Sequence, residues 1–298
     1  MLEPVYSGDP SQPQVALTFD DGPYDITKKL LRVLGKHDVK ATFFCIGERV
    51  KQFPRIVNQT HDEGHLIANH SYDVQSLRTL DNDWVLKKLR DTNKVIRRAT
   101  GYTPNYFRPP MGEPPFENSQ AIDSDNQFRV TELADTLGLS HIHWSVDTND
   151  WRSPGVPSIV DSLRSAENGS IILCHDLPKQ GNKARGEDTI KAVDTAIPEL
   201  KQRGFRFVTI EEMTFSTPQF SERKCPPNSQ VYEVQFGDDL SKIAEKFYLD
   251  GSKQSWRKIY EANRDLISDP TQIEPGWKLC IPRVKQYSLK GRIKLPTA

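Results

Sequence analysis

The sequence predicts an α/β chain: a closed or nearly closed barrel of parallel strands, followed by a small unit of β-α-α-β order. Three observations predict it. Short apolar runs alternate with amphipathic helical stretches between residues 14 and 213, no hairpin signal joins consecutive runs, and the pattern changes after a polar, proline-bearing stretch at 216–229. Alternation without hairpins calls for parallel strands joined by helical crossovers, and six or more such units favour a barrel over an open sheet.

The expected strands are the apolar runs at 15–19, 41–46, 66–68, 142–146, 171–174 and 205–210, bounded by polar residues and glycine as buried strands are. Three helical faces stand out between them. They are Val85, Leu89, Thr92 and Ile96; Val130, Leu133, Ala134 and Leu137; and Val156, Ile159, Val160 and Leu163. Gly64, Gly138 and Gly204 follow such stretches, where left-handed C-caps belong. The resulting layout is an N-terminal arm at 1–13, the barrel at 14–215, a linker at 216–229 with Pro218, Pro226 and Pro227, the small unit at 230–282 and a basic tail at 283–298. Within the small unit, residues 231–234 alternate as a strand does, and Leu240, Ile243, Ala244 and Phe247 form a helical face. A second helix is expected at 256–263 and a closing strand at 278–281.

Forty basic residues balance forty acidic ones across 298 residues, so no excess charge points to nucleic acid or an anionic membrane as partner. An uncharged substrate is expected. No apolar run approaches the ~20 residues of a membrane span, and Met1-Leu2-Glu3-Pro4 opens no charged segment followed by an apolar one. A soluble protein is the expectation. Cys45 and Cys174 sit inside apolar runs and read as small buried hydrophobes. Cys225 and Cys280 flank the small unit. A disulfide between them would mark an oxidising compartment, and two free thiols would not.

Chemistry in a parallel barrel sits at the C-terminal strand ends. There the sequence places Thr18-Phe19-Asp20-Asp21-Gly22-Pro23, Asn69-His70-Ser71, Phe107-Arg108-Pro109-Pro110-Met111-Gly112, Asp147-Thr148-Asn149-Asp150-Trp151 and Leu173-Cys174-His175-Asp176. Adjacent carboxylates, two histidines, an arginine and a further aspartate on one mouth are what metal-assisted hydrolysis needs.

These five segments, in this order, resemble the five motifs of the polysaccharide deacetylases, the carbohydrate esterase family that includes chitin deacetylases and NodB. The resemblance spans about residues 14–213 and implies a distorted (β/α) barrel of the NodB-homology type. It implies Asp20 as the general base on the attacking water, Asp21 and His70 as ligands of a divalent metal (zinc, with cobalt as the alternative), and Arg108 as the group that orders the carboxylates. It further implies that the Met111 N–H helps hold the oxyanion, that Asp150 tunes the general acid His175, and that Trp151 and Leu173 wall the acetyl pocket. The physics agrees with these roles. A carboxylate beside a cation stays ionised, and a histidine held by an aspartate favours its protonated form.

The sequence departs from the family at Val74. The family's third ligand is the second histidine of His-Ser/Thr-x-x-His, whereas His70-Ser71-Tyr72-Asp73 is followed by a valine, which has no lone pair. A two-ligand site holds its ion weakly, unless Asp73 supplies the missing donor. Met111 replaces the family's usual aromatic, and the polar stretch 113–127 suggests an added loop along the sugar groove.

The segments at 232–240, 259–263 and 273–282 resemble a LysM domain, a module that binds N-acetylglucosamine polymers. The likeness implies a shallow groove formed by Gly237, Asp238, Asp239 and Leu240 on one side and Ile267, Ile273 and Pro275 on the other. The expected function is metal-dependent removal of the acetyl group from N-acetylglucosamine units of chitin, chito-oligosaccharides or peptidoglycan, by a secreted or cell-wall-associated protein. The alternative is a non-catalytic glycan-binding protein, and Val74 is the feature that favours it.

Overall fold

The computed structural model describes residues 4–112, 129–178 and 185–215 and, further on, 225–226, 229–234, 238–248, 250–264, 266–267, 270–271, 273 and 277–282. The chain divides into two compact units, 1–214 and 215–298.

The first unit runs β1 (Gln14–Asp20), α1 (Thr27–Lys36), β2 (Thr42–Cys45), α2 (Gly47–Gln52), α3 (Pro54–Asp62), β3 (Leu66–Asn69), α4 (Asn82–Thr100), β4 (Tyr106–Phe107), α5 (Arg129–Asp135), β5 (Ser140–His141), β6 (Val146–Asp147), α6 (Val156–Arg164), β7 (Ser170–His175), α7 (Arg185–Gln202), β8 (Arg206–Phe207) and α8 (Ile210–Phe215). The strands form one parallel sheet in the order β5-β4-β3-β2-β1-β7-β6, with β8 also on β1. β1 is the hub. It pairs with β7 from Val15 to Asp20, with β8 at Gln14 and Val15, and with β2 from Thr18 to Asp20.

All seven residues of β1 are buried, because a strand covered on both faces has no solvent side to alternate toward. Val15, Leu17 and Phe19 join the core shared with α1 and α7, whereas Ala16 joins a second cluster with Phe44, Ala68, Ile142 and Ile171. By the two-residue period, Thr18 and Asp20 share the face of Ala16, so the polar end of that face lies at the mouth.

The curled sheet has β5 and β6 at its two ends. The N-terminal segment reaches residues from both sides of that gap. Val5 bridges Ile142 in parallel and Ser7 bridges Ser170 in antiparallel fashion; the Val5 N–H donates to the His141 carbonyl, and the Gly8 N–H to the Gly169 carbonyl. Residues 5–8 are therefore tied into the barrel. Gly169 has to be glycine here, since φ is +78° and a Cβ would stand 2.7 Å from the Gly8 oxygen.

The run at 142–146 is not the single strand expected. β5 ends at His141 and β6 begins at Val146, because the carbonyls of Ile142 and His143 turn to accept from Arg108. The run at 205–210 also divides. β8 covers only Arg206–Phe207, and α8 starts at Ile210 behind a reciprocal cap in which the Glu212 carboxylate accepts from the Thr209 N–H (2.7 Å) and the Thr209 hydroxyl accepts from the Glu212 N–H (3.2 Å). The three expected helical faces lie on α4, α5 and α6, with Leu137 just past the end of α5. Gly64, Gly138 and Gly204 all have positive φ after helix ends.

The second unit pairs β9 (Ser229–Glu233) antiparallel with β10 (Lys278–Pro282) and carries α9 (Leu240–Tyr248) and α10 (Lys253–Glu261). Val234, Leu240, Ile243, Ala244, Ile259, Ile267, Leu279 and Ile281 make its core. The buried Asn263 amide donates to the carbonyls of Ile259 and Cys280 and accepts from the Cys280 N–H, locking the end of α10 to β10. Cys225 and Cys280 form a disulfide, which settles the pairing the sequence left open. Cys45 and Cys174 are buried free thiols, as expected.

Candidate active site

The five motif segments converge at the C-terminal strand ends. Asp20 closes β1 and is the register partner of His175, which closes β7, so the two stand side by side on one sheet face. Their strands are held in line by the Thr18 hydroxyl, which donates to the Ile172 carbonyl (2.8 Å).

Arg108 is fully buried behind Asp20. Its Nη1 donates to Asp20 Oδ1 (2.7 Å) and Thr18 Oγ1 (2.8 Å), Nη2 to the His143 carbonyl (2.8 Å) and Nε to the Ile142 carbonyl (3.1 Å). The guanidinium also lies 4.0 Å from the Phe44 ring centre. Burial draws the arginine's pKa down, and the charge and hydrogen bond of Asp20 oppose that. A buried ion pair whose donors are this fully used is rigid, and it orients Asp20.

His70 follows β3 in a turn set by Asn69. The Asn69 amide donates to the Leu89 carbonyl and to Asn93 on α4, and its oxygen accepts from the Ser71 N–H, with Ser71 at φ +64°. Nδ1 of His70 lies 2.8 Å from the Arg108 carbonyl, which can only accept, so Nδ1 carries the proton. Nε2 then faces the two aspartates, 3.5 Å from Asp21 Oδ1 and 3.7 Å from Asp20 Oδ2. Asp21 reaches this position through a left-handed backbone, φ +75°. Burial raises the Asp21 pKa, but the hydrogen bond and charge of His70 and the charges of His175 and Arg185 outweigh it and hold the carboxyl below its usual range.

The Asp150 carboxylate accepts from His175 Nδ1 (2.7 Å), the His175 N–H (2.8 Å) and the Thr189 hydroxyl (2.8 Å). Burial lowers the His175 pKa, yet the bond and charge of Asp150, with the charges of Asp21 and Asp20, raise it to about 9. The folded value lies above the ordinary 6.5, so the stability it contributes is fully present below about 6.5 and is lost as pH rises through about 9. Asp150→Asn is expected to move the alkaline limb of any hydrolytic pH–rate profile to lower pH. A limb that stays in place in that variant would show that Asp150 does not set the His175 proton affinity.

Trp151 is 41% exposed in the single turn Asp150–Arg152, stacked by the Arg152 guanidinium at 4.5 Å. Leu173 is buried, pairs with Thr18 and shares the sheet face of His175. Met111 is 72% exposed at φ +64°, in the turn Pro110–Gly112. Val74 is 58% exposed, and Asp73 is not free to replace it as a donor: its carboxylate is paired with Lys88 and accepts from the Gln75 N–H. Among the described residues no group of three or more His, Cys, Asp or Glu is arranged to hold a metal ion.

Two supporting residues escaped the sequence reading. Thr189 on α7 fixes Asp150, and nothing local in the sequence marks it. Asp176, next to His175, is buried and accepts from the Thr27 hydroxyl. Burial pushes its pKa up to about 7, the Thr27 bond opposing and the Asp21 charge adding. A Cβ on Gly22 would lie 2.3 Å from both Asp176 oxygens, so the glycine of the Asp-Asp-Gly turn is what lets this carboxyl pack beneath it.

In the second unit, Asp238 accepts from the Tyr232 hydroxyl (2.7 Å), and Asp239 caps α9 by accepting from the Lys242 N–H (2.8 Å). Leu240 and Ile267 are core residues, and Ile273 packs half-buried against them. The apolar side chains of Leu240 and Ile267 are packed into this small core. Gly237 and Pro275 lie outside the described residues, as do 113–127.

Comparison with known proteins agrees with this geometry. The polysaccharide deacetylase family matches residues 7–132, and the LysM domain matches residues 232–282. A peptidoglycan-N-acetylglucosamine deacetylase of Bacillus cereus is 38% identical over 222 residues, 74% of each chain. A peptidoglycan-N-acetylglucosamine deacetylase of Listeria monocytogenes, PgdA, is 36% identical over 67% of this chain, which spans only 38% of that longer relative. Among solved structures, the Bc1960 peptidoglycan N-acetylglucosamine deacetylase superposes with a TM-score of 0.62 at 35% identity, covering 72% of this chain and 93% of that one. A carbohydrate esterase family 4 pseudoenzyme of Bacillus anthracis, BA3943, gives 0.61 at 31% identity over 72% and 69%. With its motifs at the strand ends of a curled parallel sheet and a second matching module behind them, the chain belongs to the polysaccharide deacetylase family and carries a C-terminal LysM domain.

Proposed function

We propose that the barrel hydrolyses the N-acetyl group of N-acetylglucosamine units in a cell-wall or chitin-type glycan, and that the LysM domain holds the same polymer. The observation that carries this reading is the pairing of Asp20 with His175 across β1 and β7, each with its own fixed partner, Arg108 and Asp150. A base and an acid held side by side by opposite counter-charges are what amide hydrolysis needs.

The donor chemistry beside them suits a divalent ion. His70 presents Nε2 with its other nitrogen committed to the Arg108 carbonyl, and Asp21 presents an ionised carboxylate. These two would hold the ion, one protein ligand short of the three usual in a catalytic zinc site. When bound, such an ion polarises the acetyl carbonyl and acidifies water. Asp20, kept in place by Arg108, accepts the proton of the attacking water. His175 Nε2 donates a proton to the departing amine, and the Met111 N–H would help hold the carbonyl oxygen. Trp151 and Leu173 would bound the methyl pocket.

The second reading is a glycan-binding protein without catalysis. It is favoured by the exposed Val74 and the engaged Asp73, and one protein of the same fold, BA3943 of Bacillus anthracis, is a pseudoenzyme. Acetate release from chito-oligosaccharides and from peptidoglycan strands, titrated with Zn²⁺ and Co²⁺, separates the two. Release that rises with metal supports hydrolysis, and none at saturating metal leaves the binding reading. Val74→His is expected to raise metal affinity at least ~10-fold, because loss of even a supporting partner costs ~10–100-fold in metal affinity. Metal retained through dialysis by the variant and lost by the wild type is the measurement. Equal retention would mean that another donor already completes the site.

We further propose a cell-wall-associated or extracellular location, supported by the LysM match and by the Cys225–Cys280 disulfide, which is stable in oxidising surroundings. Among the described residues no helix is long and apolar enough to cross a membrane.

A further inference from the structure

Asp176 is a buried carboxylate to which no step of the hydrolysis above gives a role. Its N–H donates to the Asp20 carbonyl (3.4 Å), which carries the β1–β7 pairing just past the end of β7. Its Oδ2 accepts from the hydroxyl of Thr27, the first residue of α1, and its Oδ1 has no hydrogen-bond partner among the described residues. A buried carboxylate oxygen left unpaired costs free energy, so such a group calls for a reason other than stability.

The contact that supplies the reason is with Gly22. A Cβ there would stand 2.3 Å from both Asp176 oxygens and 2.6 Å from the carbon between them, so the Gly22 backbone rests directly on the carboxylate, with no room for a methyl group. Gly22 follows Asp21, whose left-handed backbone (φ +75°) brings its carboxylate to within 3.5 Å of His70 Nε2. A non-glycine residue in that region is held by its surroundings and not by its own preference. The surroundings tie the turn on either side. The Gly22 carbonyl accepts from the Ile46 N–H (2.9 Å), and the Thr27 hydroxyl that donates to Asp176 also accepts from the Tyr24 N–H (2.9 Å).

We propose that Asp176 is a positioning residue for Asp21: its carboxylate packs against Gly22 and fixes the turn in which Asp21 faces His70. The inference rests on the reading of Asp21 and His70 as the pair that holds a divalent ion. Asp176 touches neither ion nor substrate in this role and acts through the main chain alone. A site with two protein ligands is sensitive to such support, because no third ligand makes up for a displaced carboxylate.

The test is an exchange of size between positions 22 and 176, in the full chain. Crystal structures of the metal-free variants give the separation of Asp21 from His70, and Co²⁺ titration calorimetry gives the affinity. Gly22→Ala is expected to push Asp21 away from His70 and to lower Co²⁺ affinity at least ~10-fold, the lower end of what loss of a supporting partner costs. Asp176→Ala is expected to lower it comparably, by leaving the turn unsupported. The double variant is expected to bind Co²⁺ no more weakly than Asp176→Ala alone, since the added methyl occupies space the carboxylate has left. Asp176→Asn keeps the shape and still accepts from Thr27, and is expected to stay near wild type in both measurements. An unmoved Asp21 in Gly22→Ala and Asp176→Ala overturns the proposal, even where the variants unfold more easily, because that outcome is a packing role only. Losses that add in the double variant overturn it too, as does an Asp176→Asn as weak as Asp176→Ala, which would assign the effect to charge. Asp176→Ala introduces no clash and decides the matter if Gly22→Ala does not fold. Failure of the metal reading looks different: no form binds Co²⁺, wild type included, and the metal-free separations then decide. Absence of acetate release would count against the deacetylase reading and leaves those separations untouched.

Discussion

His175→Ala is expected to lower acetate release at least ~10²-fold, and Asp20→Asn to do the same, because in the proposed roles each would remove one half of the proton relay. The geometry makes the two losses distinct in kind. His175 donates its Nδ1 proton to Asp150, so Nε2 is the only ring nitrogen that can serve the substrate, and no other described histidine occupies a strand end beside it. Asp20→Asn keeps the shape of the side chain and removes its charge, leaving Arg108 buried without a counter-ion. Initial rates under saturating metal are the measurement, with circular dichroism to show that each variant is folded. A variant within a few-fold of wild type would move the acid or base role to another residue. The double variant is expected to be little worse than either single one, since residues that act as a unit are strongly non-additive.

Arg108→Met is expected to destabilise the barrel by about 3–5 kcal/mol, the range for breaking a buried ion pair and leaving one charge behind. Asp20 would stay buried, with its ion-pair partner gone and the carbonyls of Ile142 and His143 without their donors. Urea unfolding of the full chain measures it. Adding Asp20→Asn to Arg108→Met is expected to recover part of the loss, because the orphaned charge is then gone. A loss below about 1 kcal/mol for Arg108→Met would mean that water reaches Asp20 and that the pair is not the structural centre of the site.

The candidate constellation was legible because Asp20 and His175 directly follow apolar runs, His70 and Asp150 come shortly after one, and Arg108 stands in a segment of the same kind. Asp20, His70, Arg108, Asp150 and His175 stand at or just past strand ends, and in a parallel sheet such ends face one mouth whatever the details of the crossovers. Thr189 and Asp176 were not legible as supports. The first acts from the middle of a helical face, and the second reads as an ordinary polar residue until its contact with Gly22 is seen. Val74 shows the limit from the other side. Its lack of a lone pair was plain from the sequence, but the pairing of Asp73 with Lys88 on α4, which removes the alternative donor, is a long-range contact.

The sequence by itself determined the order of units, the parallel α/β class, the strand ends that carry chemistry and the β-α-α-β module, because these follow from local periodicity and from polar residues placed after apolar runs. Only the tertiary structure decided where residues distant in sequence meet. Arg108 claims the carbonyls of Ile142 and His143 and breaks an expected strand in two; residues 5–8 bond to both sides of the sheet's gap; Cys225 joins Cys280; and the Asn263 amide ties α10 to Cys280 on β10. The physical reason is common to all four. Each is a competition for a hydrogen-bonding group or a thiol that is settled by a partner far along the chain, which local pattern does not encode.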